Sequence, residues 1–197
     1  MSTSPPAAAR PALKVQRLTS ARFDDLQALF AARGCSVARN CWCMYYRWSG
    51  HPPPGRRAEV SRSAFKALLD EGRHMGLIAY AGREPVGWLS VGPREDYAKL
   101  ARSPVMKPVD EQPVWSVVCF VVAGRWRGQG VAKALLDAAV ERARRKKITL
   151  EAYPVDKPVR QDDDNLWFGP KSMFDACGFD EVARRKPTRP VVRLVPG

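Results

Sequence analysis

Residues 114–122, Val-Trp-Ser-Val-Val-Cys-Phe-Val-Val, run without interruption toward a glycine pair, Gly128 and Gly130, and a helical pattern starts directly behind it at Val131. That order reads as a strand, a tight turn and a helix start. From Val131 to about residue 145, Ala132, Leu135, Leu136, Ala139, Val140 and Ala143 follow i, i+3, i+4, i+7, i+8 and i+11 spacing, one apolar stripe that must lie on a sheet. Residues 148–153 read as the next strand, and a strand, crossover helix and strand make the two strands parallel neighbours. The turn is also an anion cradle. A helix's first N–H groups have no intrahelical partner and sit at the positive end of its dipole, and glycine lets a phosphate come close to that backbone.

Three kinds of phosphate loop compete for this turn. A P-loop needs Gly, four residues and then Gly-Lys-Ser/Thr, a spacing that neither Gly124 nor Gly128 satisfies. A dinucleotide fingerprint wants a small residue where Lys133 stands, although Glu151, about twenty residues on, keeps an NAD(P)-binding reading open. The third match is closer. Arg127, Gly130 and Ala132 fit Arg/Gln-x-x-Gly-x-Gly/Ala, the helix continues with Leu135-Leu136, and Phe174 to Phe179 supply an aromatic-x-x-x-Gly-Phe element. On these residues the chain resembles the GNAT N-acetyltransferase superfamily, firmly over residues 114–182.

The rest of the chain is compatible with that resemblance. Residues 1–12 are rich in Ser, Pro and Ala and read as a disordered tail, leaving 13–197 as a single acyltransferase domain. Residues 13–18 read as a strand and 19–32 as a helix capped by Thr19, with Phe23, Leu26, Leu29 and Phe30 on one face. A helix over 57–70, a hairpin of 77–81 with 86–91, a short helix at 97–102 and a last strand at 190–195 complete the pattern. The expected fold is α/β of the α+β kind: a mixed parallel and antiparallel sheet of about six to seven strands with helices on both faces. The resemblance implies the same architecture.

Charge narrows the partners. With 33 Lys and Arg against 20 Asp and Glu, the net charge of +13 calls for something anionic, and coenzyme A with its three phosphates fits. Nucleic acid is the other anionic class. The two densest basic segments, 142–147 and 184–189, carry no interleaved aromatics and no nucleic-acid motif, and the first reads as a solvated helix end. The N-terminus lacks the regions of a signal peptide and no apolar stretch approaches the ~18 residues of a membrane span, so a cytoplasmic protein is expected. Five cysteines then read as reduced thiols. No metal is expected, since Cys35, Cys41, Cys43 and His51 do not have the usual ligand spacing.

The resemblance implies transfer of an acetyl group from acetyl-CoA to an amine, small-molecule or protein-borne, by direct attack in a ternary complex. The main chain of Phe120 and Val122 would pair with the pantetheine arm, and Arg127, Gly128, Gln129, Gly130, Val131, Ala132 and Lys133 would hold the phosphates. A strand amide at Cys119 or Phe120 would stabilise the oxyanion. The family's usual Tyr acid is replaced by Phe174, which has no proton to donate. Tyr153 is the candidate substitute acid, and Glu151 is the candidate base for the amine. The segment 41–48 is dense in aromatics, and Trp42, Tyr45 and Trp48 are candidates to line the acceptor site. Asp162, Asp163 and Asp164 would attract a cationic amine. A non-catalytic CoA-sensing or nucleic-acid-binding module on the same scaffold is the competing reading, and acyl-chain preference and oligomeric state are not encoded legibly.

Overall fold

The structure, a computed structural model, describes residues 12–51, 54–157 and 167–197. The expected tail at 1–12, apart from its last residue, and the acidic run at 162–164 lie outside the described residues. Among those described, seven strands form one sheet in the order β1-β2-β3-β4-β5-β7-β6. They are β1 Leu13–Arg17, β2 Gly76–Ala81, β3 Glu84–Pro93, β4 Trp115–Val122, β5 Leu150–Ala152, β6 Asp180–Lys186 and β7 Arg189–Leu194. Only β4 and β5 run parallel; every other neighbouring pair is antiparallel. The parallel pair is the one joined by the long crossover helix α5, Val131–Lys146, the fifth of the α-helices α1 Phe23–Ala31, α2 Ser36–Cys41, α3 Arg57–Asp70, α4 Ala98–Ala101, α5 and α6 Lys171–Asp175.

Side-chain alternation divides the sheet between two cores. Along β2, Leu77 and Ala79 enter the core beneath α5, where Leu135, Leu136, Ala139 and Val140 pack. Ile78 and Tyr80 point the other way, into a core built by α1, α2 and α3 around Trp42, Phe65 and Trp88. The stripe read on α5 is buried as expected, through Ala143. Gly87 on β3 admits α5 closely, since a Cβ there would meet Val131 Cγ1 at 2.4 Å. Among the described residues no helix is long and apolar enough to cross a membrane.

Several boundaries differ for local reasons. Residues 20–22 form a 3₁₀ turn before α1, and the Thr19 hydroxyl accepts a bond from Arg22 instead of capping a helix. The strand expected over 148–153 keeps sheet pairing for Leu150–Ala152 alone. The strand β6, Asp-Glu-Val-Ala-Arg-Arg-Lys, escapes pattern reading because it is a mostly exposed edge that pairs only with β7. The short α2 and α6 escape it too; each has too few residues for a helical period to register.

Candidate active site

Two features of β4 open a gap in the sheet. Its parallel register with β5 ends at Val117 opposite Ala152. At the same place Ser90 pairs with Cys119 and Val91 with Val117, leaving Val118 as an extra residue that bulges the strand and re-aims its backbone. Beyond the bulge Phe120 points its amide away from β3 and into the gap. Residues 167–170 enter there: Phe120 N–H donates to Trp167 O at 2.7 Å, and Val155 N–H donates to Gly169 O at 2.9 Å. A cleft of about 980 Å³ runs from the glycine turn along this part of β4 to the aromatic segment 41–48.

The turn at its mouth exposes its backbone. Gly128 and Gly130 have φ of 72° and 84°, the left-handed region, and a Cβ at either would meet nothing within 4 Å. Conformation therefore demands the glycines, while the space above them stays open. Gly130 is the N-cap of α5, with no side-chain capping bond and no acidic residue in the first turn. The first helical bond closes from Ala134 N–H to Gly130 O at 2.9 Å. The amides of Val131, Ala132 and Lys133 precede it, so among the described residues they face the cleft without a backbone acceptor.

Most of the expected cofactor residues converge here: Phe120, Val122, Arg127, Gly128, Gly130, Val131, Ala132 and Lys133 all line the cleft. Gln129 does not; its amide donates to Arg125 O at 2.7 Å and braces the turn. Arg127 reaches Gly34 O at 2.7 Å and Val122 O at 3.5 Å, latching the loop after α1 to the end of β4. Lys133 is paired with Asp137 one turn along α5. The Phe120 amide is engaged by Trp167. Alternate strand residues point oppositely, so the Cys119 amide turns toward β3 and neither expected oxyanion donor stands open.

The expected acid and base belong elsewhere. Glu151 is fully buried and does not line the cleft. Its Oε1 pairs with Arg94 and accepts from Tyr153 Oη at 2.8 Å, and its Oε2 accepts from Arg193 Nε at 2.8 Å. Tyr153 is also fully buried, bonded to Arg94 at 2.7 Å and to Ser116 at 2.9 Å, and burial beside the Glu151 charge raises its pKa far above the ordinary phenol value. Both are corrections: adjacency in the sheet puts them in an ion-pair cluster between β4, β5 and β7, where β7 supplies Arg193 and the loop after β3 supplies Arg94. Glu151 so held does not line the cleft and is not placed to make the ribose contact of the dinucleotide reading. Phe174, at the family's acid position, is a core residue stacked edge-on against Phe120 and Phe179.

The aromatic segment divides likewise. Trp42 is a core residue, not a cleft wall: it is 4% exposed, with Phe23 at 5.5 Å and Phe30 at 5.1 Å. Tyr45 and Trp48 do line the cleft. Tyr46, which sequence reasoning misses, lines it too, and burial pushes its pKa up to about 12, so its hydroxyl keeps its proton at neutral pH. Only its place among three consecutive bulky residues could have signalled it. No carboxylate lines the cleft among the described residues, whereas Arg57 and Lys157 do.

A family model described as acetyltransferase (GNAT) family matches residues 41–161, more than half of the chain. No curated protein matches. Solved structures share the fold at low identity. A GNAT-family protein from Desulfovibrio desulfuricans is 16% identical with a TM-score of 0.53, over 93% of this chain and 99% of its own. The PaiA N-acetyltransferase of Thermoplasma acidophilum, solved in complex with coenzyme A, is 14% identical with a TM-score of 0.50 over the same shares. Ard1 of Thermoplasma volcanium is 14% identical, TM-score 0.52, over 94% and 99%.

Proposed function

The chain belongs to the acetyltransferase (GNAT) family, and from that premise we propose that its cleft binds acetyl-CoA and transfers the acetyl group to a primary amine. The observation that carries this reading is the uncapped N-terminus of α5 behind two left-handed glycines, opening on a cleft that continues along β4 beyond the end of its pairing with β5. The amides of residues 131–133 would hold the pyrophosphate, and the edge of β4 at Val122 would take the pantetheine arm as a strand takes a neighbour. For the thioester oxygen to use the Phe120 amide, the Trp167 carbonyl must give it up. The Tyr46 hydroxyl is the proton donor proposed for the departing thiolate, in place of the phenol that Phe174 lacks.

The walls also select the amine. A lysine-like amine of pKa ~10.4 costs about 4–5 kcal/mol to deprotonate at pH 7, and among the described residues no cleft carboxylate helps. An amine of pKa near 8 costs only about 1 kcal/mol, and the surrounding cations favour its neutral form. The proposed acceptor is therefore a weakly basic or aromatic amine held against Tyr45 and Trp48.

Calorimetric titration of acetyl-CoA into wild type, Gly130→Ala and Gly130→Glu tests the cofactor site. A carboxylate about 5 Å from two pyrophosphate charges costs at least about 1.7 kcal/mol even at the dielectric of water, roughly 20-fold in Kd. Gly130→Ala carries the same strain of a Cβ at φ 84° without the charge, so the roughly 20-fold loss is read between the two variants. Absence of binding by wild type, or equal binding by Gly130→Glu, removes the reading.

A further inference from the structure

Where the cleft meets the segment 41–48, α3 contributes a polar pair that the proposed transfer does not use. Arg57, Ser61 and Phe65 follow one another at i, i+4 and i+8, a stripe along one face of that helix. Phe65 fixes the direction of the stripe, because its buried ring lies 5.9 Å from Trp42 and so turns this face toward the segment 41–48. Arg57 and Ser61, the earlier members, both line the cleft. The Ser61 side chain is fully buried at its floor, and its Oγ has no hydrogen-bond partner among the described residues. A buried hydroxyl left unpaired is destabilising, and alanine would fill the same place without that loss, so the position points to a partner brought by a ligand. Arg57, one turn earlier, is exposed and has no ion-pair partner among the described residues. Its neighbour Arg56 instead meets Glu59 at 3.4 Å, and neither of those two lines the cleft. Arg57 is also the first residue of α3, at the positive end of the helix dipole, and the N-cap makes no side-chain capping bond.

We infer that Arg57 and Ser61 form a carboxylate subsite at the aromatic end of the cleft, so that the amine acetylated here belongs to a molecule that also bears a carboxylate. The guanidinium fork matches the two oxygens of a carboxylate, and the Ser61 O–H donates to one of them. One guanidinium balances one negative charge, and with no carboxylate in the described lining nothing there repels the anion. Tyr45 and Trp48 line the same cleft and supply faces for a ring. The ligand class is therefore an aromatic amino carboxylate of the aminobenzoate kind, whose weakly basic amine is neutral at pH 7. That this molecule is the acetyl acceptor rests on the function proposed above; its binding through the carboxylate does not.

The test titrates 4-aminobenzoate, and aniline, which lacks only the carboxylate, into the full chain by calorimetry, first alone and then with coenzyme A in excess. A charge-assisted pair should make 4-aminobenzoate bind about ten-fold or more tightly than aniline. Arg57→Gln should remove most of that preference, whereas Arg56→Gln, which changes the net charge equally, should leave it intact. Ser61→Ala should weaken 4-aminobenzoate about three-fold or more without lowering Tm, because the hydroxyl it removes has no partner in the fold. No binding of 4-aminobenzoate, equal affinity for the two amines, a preference kept in Arg57→Gln or lost equally in Arg56→Gln each overturns the inference. So does a preference that coenzyme A abolishes, which would place the carboxylate at the glycine turn, and a lower Tm in Ser61→Ala removes the hydroxyl from the subsite. The preference is read without turnover and on the chain alone, so its failure and a failure to bind acetyl-CoA are distinguished.

Discussion

Replacing Glu151 with Gln keeps the side chain's volume and removes one charge from a fully buried cluster, so it separates a structural carboxylate from a catalytic one. In the native protein both carboxylate oxygens are engaged, one by Arg94 and Tyr153 and the other by Arg193, which also holds Asp110 at 2.6 Å. An amide nitrogen in either position turns a donor toward a guanidinium. Removing one partner of a buried ion pair costs about 3–5 kcal/mol, because the remaining charge stays out of water. At about 2.1 cal/mol/K of unfolding entropy per residue, the 197-residue chain loses roughly 7–12 °C of Tm. Calorimetric melts measure that loss. Acyl transfer assayed well below both transitions should stay within about two-fold of wild type, with its pH profile unmoved. The double variant Glu151→Met with Arg94→Met should regain several degrees over Glu151→Gln, since the paired charges leave together. An unchanged Tm accompanied by lost turnover, or a displaced limb of the pH profile, would refute the placement of Glu151 outside the chemistry.

The remaining expectations are simpler. His74 donates toward Val91 O at 3.0 Å in its neutral form, and burial, aided by the charges of Arg17, Arg142 and Lys146, lowers its pKa to about 4. The unfolded chain then binds the proton more tightly, so stability is full above about pH 6.5 and falls as pH drops toward 4; denaturant titrations should show about 2 kcal/mol less stability at pH 5 than at pH 7, a difference largely absent in His74→Asn. Trp42→Ala should cost about 3–5 kcal/mol, because it empties the centre of the α1–α3 core. Trp48→Ala should cost far less stability and instead raise the KM for the amine, and equal destabilisation by the two changes would contradict their assigned places.

Local chemistry made part of the site legible. Gly128 and Gly130 announce left-handed backbone, Val131 to Ala143 announce one buried stripe, and the order of strand, helix and strand dictates a parallel pair; each depends on residues adjacent in sequence. What failed depends on residues brought together from far apart. Glu151 and Trp42 each carried a plausible role by type and position, and distant neighbours place both of them away from the cleft lining.

The sequence by itself therefore determined the glycine turn at the helix start, the crossover and the two-faced sheet, because backbone conformation and apolar periodicity are written into consecutive residues. Tertiary structure alone decided which polar groups reach the cleft. Arg94 and Arg193 close on Glu151 and the Trp167 carbonyl takes the Phe120 amide, since strand register and the Val118 bulge set which side each group faces. A one-residue change of register reverses every such assignment, and no local pattern in this chain encodes it.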